Sequence, residues 1–338
     1  MRGRTRRRIG GVSPAVTVIM PVYDRERFVR EAVDSVLGQT FDDLELIVVD
    51  DGSTDGTAAA VTAVEDPRLR YVAQPHRGVA AAMNTGLRSA RGCYVARLDS
   101  DDVWLPDLLA TQVAVLESQP EVDVVYARAQ GMEADGTLTT HVWGIAPRWP
   151  ADALRSQLHG DFTCNITTVA RRACLERAGG FDESLAAHED WDLWLRVARH
   201  ASFAFTDRVL ARFRWHEGNL TGPARADAAR VLEERVRVLD RFYAAQDTPA
   251  SARAARAVAY RNLHLGTGLV HLGRHEHRRA LAAFGRAFAS GANPIGTAAR
   301  IVWFTLDWQY LSRRTWGRRL VDWQHRVRRR WRMRLASS

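Results

Sequence analysis

Apolar positions along this chain follow two rhythms. In the first half, short runs of Val, Ile and Leu alternate with segments whose apolar residues recur every three or four positions. The runs at 16–20, 44–49, 69–72, 92–98 and 122–127 predict strands, because β-branched residues suit a pleated, buried surface. Phe28, Ala32, Val36 and Leu37 predict a helix after the first run, and 57–64, 79–89 and 106–117 predict three more. The run 44–49 is almost continuously apolar, as expected of a parallel strand buried on both faces. Such alternation predicts an α/β domain with a mostly parallel sheet in three layers. From residue 223 onward only helical spacing remains, at 225–243, 252–272 and 278–290. The expected organisation is a basic tail (1–11), an α/β domain (12–222), an all-α extension (223–292) and a last segment (293–338).

In parallel α/β sheets, ligands bind beyond the carboxyl ends of the strands. Three predicted strands end there in polar clusters: Pro21-Val22-Tyr23-Asp24, Asp50-Asp51-Gly52-Ser53 and Asp99-Ser100-Asp101-Asp102. Each cluster alone fits a solvated turn or a helix cap. Their convergence at one sheet edge is what argues for a site. Asp99 and Asp101 offer the hard oxygens that Mn2+ or Mg2+ prefers. Carboxylates after the second strand can accept hydrogen bonds from a base or a ribose. Arg77, in Pro75-His76-Arg77-Gly78, suits a phosphate, and Gly78 permits close backbone approach. Further on, Leu193, Trp194 and Val197 predict a helix whose first turn holds Asp190. The positive end of that helix favours an ionised carboxylate, as a general base requires.

Composition narrows the class. The chain has 338 residues, 46% apolar and 26% charged, which is enough to build a core without staples. Three cysteines give neither a paired disulfide framework nor a structural zinc site. The net charge of +9 divides unevenly: +5 over residues 1–11, −11 over 12–222 and +15 over 223–338. All 48 basic residues are arginine. No run approaches the ~20 apolar residues of a spanning helix, and no apolar signal core follows the first arginines, so cytoplasmic residence is expected.

Residues 16–222 resemble a family-2 glycosyltransferase of the GT-A fold, a Rossmann-like architecture. The resemblance rests on the strand-end clusters above together with Gln39-Thr40-Phe41, Asn84-Thr85-Gly86, Gly179-Gly180-Phe181-Asp182-Glu183 and Glu189-Asp190-Trp191-Asp192-Leu193-Trp194, all in the family's order and spacing. It implies a metal-dependent, inverting transfer of sugar from a nucleotide sugar, with UDP the expected nucleotide. The acceptor would be a hydroxyl of a glycan or lipid-linked molecule in cell-envelope polysaccharide synthesis. It implies that Pro21, Tyr23, Asp24, Asp50, Asp51, Ser53, Arg77, Gly78, Asn84 and Ser100 line the nucleotide site. Asp99, Asp101 and His216 would serve the metal (Mn2+ or Mg2+), Asp190 would be the base, and Glu189 would orient base or acceptor. His76 and Met83 depart from the usual pattern, where Asn and Arg are frequent. The alternative is a catalytically inactive carbohydrate- or membrane-binding scaffold on the same fold; intact Asp99, Asp101 and Asp190 favour the enzyme. A sugar nucleotidyltransferase would need a Gly-rich basic loop after the first strand, which Pro21-Val22-Tyr23-Asp24 does not supply.

The extension reads as one tetratricopeptide-like helical pair, a structural appendage with a scaffold or homodimer role as the alternative. After it, Trp316, Leu320, Trp323, Val327 and Trp331 step by helical intervals among ten arginines. An Arg- and Trp-lined amphipathic helix suits an anionic membrane surface, which predicts a peripheral position on the inner face of the plasma membrane. No nucleic-acid motif accompanies the charge, so no nucleic-acid partner is expected.

Overall fold

The structure, a computed structural model, describes residues 13–160, 163–219, 228–299 and 301. The Arg- and Trp-rich segment from Trp303 and the arginines of residues 1–11 lie outside the described residues. Strands and helices alternate as the pattern predicts: β1 (Val16–Val22), α1 (Val29–Leu37), β2 (Leu44–Asp50), α2 (Thr57–Thr62), β3 (Leu69–Ala73), α3 (Val79–Ser89) and β4 (Tyr94–Arg97). Next come β5 (Val103–Trp104), α4 (Leu108–Ser118), β6 (Val124–Glu133), β7 (Leu138–Trp143), α5 (Ala153–His159), β8 (Val169–Arg171), α6 (Arg172–Arg177), α7 (Glu189–Val197) and β9 (Phe203–Trp215). The chain continues in α8 (Ala228–Ala244), α9 (Ala250–Gly273) and α10 (His277–Ala289).

The sheet order is β3-β2-β1-β4-β8-β6-β9-β5, with β7 added beside β6. β1 pairs in parallel with β2 and β4, and β2 pairs in parallel with β3. β6 pairs in parallel with β9. β8 runs antiparallel to both β4 and β6, and joins these two groups. Every residue of β1 and β2 is buried, which explains their uninterrupted apolar runs. Each such Val, Leu or Ile contributes about 1.5–3 kcal/mol when removed from water.

Register brings the strand ends together. Val22 lies opposite Asp50, and Ile19 lies opposite Arg97, so the loops after β1, β2 and β4 emerge side by side. The opposite edge is polar for a structural reason. Buried Glu45 accepts from Thr17 Oγ1 at 2.7 Å and pairs with Arg70 and Arg91 at 3.0 and 2.6 Å. Burial raises its pKa, but the bonds from Arg91, Thr17 and Arg70 outweigh this and hold it below the usual range.

The chain divides into two compact units, Met1–Ala255 and Arg256–Ser338. The composition boundary at 222 therefore precedes a helix, α8, that falls within the first unit. In the second unit, Leu265, Leu269 and Leu272 of α9 pack with Ala280, Phe284 and Ala287 of α10. Gly268 allows that approach: a Cβ there would lie 2.3 Å from the Phe284 ring. Among the described residues no helix is long and apolar enough to cross a membrane.

Candidate active site

The loop after β1 turns sharply because Asp24 adopts a left-handed backbone, φ 48°. Its amide donates to Ser53 Oγ at 3.0 Å, and its Oδ1 accepts from the Thr54 amide at 2.7 Å. Asp50 Oδ1 accepts from the Ser53 amide, and its Oδ2 accepts from the Tyr71 hydroxyl at 2.6 Å. Burial and that bond push the Tyr71 phenol up to about 12.

Asp51 builds the neighbouring loop. Its Oδ1 accepts from Gln74 Nε2 (2.7 Å) and the Arg77 amide (2.9 Å), while its Oδ2 accepts from the Gly78 amide (2.7 Å). His76 Nδ1 lies 2.9 Å from the same Oδ2. Gly78, at φ +91°, opens α3. Tyr23 is 41% exposed, and its ring lies 4.2 Å from that of His76. Asp24, Asp50, Asp51 and Ser53 thus fasten these turns to one another beside the Tyr23–His76 ring pair.

Asn84 and Arg77 face another way. Asn84 donates to Phe181 O and Glu183 Oε1, both at 2.9 Å, and its Oδ1 accepts from the Phe181 amide at 2.8 Å. Arg77 donates to Glu183 Oε2. Both therefore tie the Gly179–Glu183 turn to α3. A Cβ on Gly180 would sit 2.7 Å from Asn84 Oδ1, at a backbone φ of +72° that disfavours side chains.

The carboxylates after β4 divide by partner. Asp101 Oδ2 accepts from Arg25 Nε at 3.0 Å and lies 2.9 Å from His216 Nε2. Burial raises the Asp101 pKa, but His216 and Arg25 outweigh it and hold the carboxyl below its usual range. Arg25 also donates to the Tyr23, Asp24 and Gly218 carbonyls, so one guanidinium joins three loops. His216 Nδ1 accepts from the Gly218 amide, which places the ring proton of neutral imidazole on Nε2, facing Asp101. Ligation of an ion through Nε2 would need the other neutral tautomer, with the proton on Nδ1, in place of the bond from Gly218.

Asp102 is fully buried: Oδ1 accepts from the Arg214 amide, and Oδ2 has no partner. Burial, then the charges of Asp101 and Asp99, push its pKa well above the usual value. Ser100 is buried between them.

Asp99 looks towards Arg97. Its Oδ1 accepts from Arg97 Nε at 2.7 Å, while Arg97 Nη1 donates to Glu189 Oε1 at 2.9 Å. One guanidinium, 11% exposed, thus links the end of β4 to the start of α7. Burial pushes the Asp99 and Glu189 pKa values up, with the Asp190 charge adding to both, and Arg97 only partly offsets this. Asp190 sits in the first turn of α7, half-buried, with its Oδ1 accepting from the Trp191 amide.

Sequence reasoning missed Arg25 and Arg97. Arg97 carried a signal, since a charged residue inside the apolar run 94–98 needs a buried partner. Arg25 lies on an exposed-looking loop and carried none.

Among the described residues, no three His, Cys, Asp or Glu side chains cluster to hold an ion. Asp101 and His216 do lie side by side, and Asp99 Oδ2 takes no hydrogen bond. Ions such as Mg2+ take one or two carboxylates and complete their shell with phosphate oxygens and water, so this donor set fits.

Residues 17–177 match the family model described as glycosyl transferase family 2. An uncharacterised glycosyltransferase of Rickettsia prowazekii is 32% identical over 223 residues, covering 63% of this chain and 67% of that protein. Chondroitin synthase of Escherichia coli is 28% identical over 198 residues, 58% of this chain and 28% of its own length. Among solved structures, the mannosyltransferase PcManGT from Pyrobaculum calidifontis, in complex with GDP-Man and Mn2+, aligns with a TM-score of 0.58. It shares 27% identity over 90% of this chain and 83% of its own. S. aureus TarS 1-349, in complex with UDP-GlcNAc, aligns at 0.61 with 20% identity, over 81% of each chain, which shows the fold. The chain belongs to glycosyl transferase family 2, and its first unit has the GT-A fold. It is a glycosyltransferase.

Proposed function

We propose that this glycosyltransferase is metal-dependent and inverting, and moves a sugar from a nucleoside-diphosphate sugar to a hydroxyl of a glycan or lipid-linked acceptor of the cell envelope. The observation that carries the proposal is the meeting of two groups at one strand edge. Asp101 with Arg25 and His216 forms one, and Asp99, Arg97 and Glu189 lead to Asp190 in the other. The first group suits a diphosphate and the second an acceptor hydroxyl.

The Tyr23–His76 wall would receive the base, and the backbone around Pro21–Asp24 would receive the ribose. Asp101 and Asp99, with His216 as its Nδ1–H tautomer, would hold Mn2+ or Mg2+. When bound, such an ion stabilises negative charge on the departing diphosphate. Arg25 adds fixed positive charge beside the same carboxylate. Asp190 takes the proton of the acceptor hydroxyl as that oxygen bonds to the anomeric carbon. The bond from that carbon to the phosphate oxygen breaks from the opposite side, and the nucleoside diphosphate leaves. One displacement inverts the anomeric centre. Glu189, held by Arg97, keeps the helix that carries Asp190 in register.

A thermal-shift screen of UDP- and GDP-linked sugars with Mn2+ identifies the donor, because a bound ligand raises apparent stability with its affinity. A rise that also occurs in Asp101→Ala, with and without Mn2+, would remove the metal role. We also propose, from sequence, that residues 313–338 attach the protein to anionic membranes. Their deletion should move the protein off anionic vesicles in a sedimentation assay, and unchanged sedimentation would reject that attachment.

A further inference from the structure

The family model ends at residue 177, before α7 and α8. Yet α8 holds the segment that delivers Asp190. Glu234, on α8, is 2% exposed, and its Oε2 accepts from the Ala187 amide at 2.7 Å. Its Oε1 faces the Ala186 amide at 3.4 Å. These amides lie three and four residues before Asp190. Arg241, on the same helix, pairs with Asp182 and donates to Ser184 Oγ at 3.2 Å. Arg235 lies over the Trp191 ring at 4.9 Å. Between these contacts, His188 enters α7 with a left-handed backbone, φ 62°. The same helix therefore grips residues 182, 184, 186, 187 and 191.

We propose that Glu234 is a positioning residue for the transfer reaction, fixing the approach to α7 so that Asp190 meets the acceptor hydroxyl. This rests on the reading of Asp190 as the base. The physical reason is the cost of leaving the buried Ala187 amide without an acceptor, which Glu234 relieves with a charge-assisted bond. A turn that enters a helix through a left-handed residue has little local preference for one geometry. The carboxylate supplies that preference from 47 residues further along the chain. The catalytic unit thus includes α8.

The test uses the full chain and the donor with the largest thermal shift, with turnover read as release of the nucleoside diphosphate. Glu234→Ala should lower kcat about 10- to 100-fold, because small misplacement of a catalytic group carries losses of that order. Affinity for UDP or GDP with Mn2+ should stay within about twofold, since the donor loops do not touch Glu234. Glu234→Gln should recover part of the kcat, as its amide oxygen still accepts from Ala187. A kcat within twofold of wild type in Glu234→Ala overturns the proposal. So does a parallel loss of kcat and nucleotide affinity, which marks general destabilisation. If Glu234→Ala does not fold, Glu234→Gln and Arg241→Ala carry the same comparison. Asp190→Asn separates the two readings: if it remains active the base assignment fails, and if it alone is inactive the positioning role fails.

Discussion

The strand-end turns proposed to hold the donor and the helix proposed to carry the base are built differently. The proposed donor side comes from turns directly after β1 and β2, where Asp50 bonds an amide of its own turn and Asp24 and Asp51 bond amides of the turns beside them. The base side comes from one short helix, α7, located by groups distant in sequence: Arg97 on β4 and Glu234 on α8. Turns at strand ends carry their own geometry. A helix that must present one carboxylate depends on whatever packs around it. Substitutions should therefore separate nucleotide binding from turnover more cleanly on the base side than on the donor side.

The largest expected effect is on the base itself. Asp190→Asn should reduce turnover at least ~1000-fold, within the range of general-base losses, with nucleotide affinity within about twofold. Loss of nucleotide binding in that variant would merge the two sides. Next is Arg97→Met, which strands Asp99 and Glu189 without a counter-charge. It should destabilise the protein by about 3–5 kcal/mol in urea unfolding, and adding Glu189→Gln should recover part of this. An unchanged midpoint in Arg97→Met would remove the link between the sides.

His188 offers a pH test. Burial first, and the Arg235 charge second, lower its pKa from 6.5 to about 4. Above pH 6.5 the ring is neutral in both folded and unfolded chains and contributes nothing. Below it the unfolded chain gains a proton that the folded chain refuses. Stability is thus lost as pH falls from 6.5 to about 4, by up to about 3 kcal/mol, and the loss then levels off. His188→Asn tolerates the left-handed backbone and should flatten the wild-type slope in that window. Equal slopes would show that His188 is not buried neutral.

On the donor side, Asp101→Ala should lower nucleoside-diphosphate affinity in Mn2+ about tenfold, about 1.4 kcal/mol, and leave the affinity in EDTA nearly unchanged by calorimetry. The smallest effect belongs to Arg77, whose ion pair with Glu183 is 55% exposed on the arginine side. Arg77→Gln should shift stability by less than about 0.5 kcal/mol.

The same comparison explains what could be read from sequence. The helix 79–89 and the strands β1 to β4 were legible because buried parallel strands and amphipathic helices leave a periodic imprint. The aspartates after those strands were legible because turns are local. β8 and β9 were not: β8 is three residues long, and β9 is rich in arginine and only partly buried, so neither shows a clean alternation. Asp51 and Asn84 bond to neighbouring loops, and Asp50 bonds to its own turn and to Tyr71 of β3. A one-dimensional reading cannot tell a carboxylate that shapes a loop from one that faces a ligand. Arg25 and Glu234 were hidden because their partners are 76 and 47 residues away.

The most direct test of the central claim, a single displacement with Asp190 as base, is the anomeric form of the sugar first released. With a stoichiometric excess of enzyme, Mn2+ and an α-linked donor, proton NMR can follow slow transfer to water before mutarotation. The account predicts that the β anomer appears first and that Asp190→Asn releases none. Early appearance of the α anomer would contradict it.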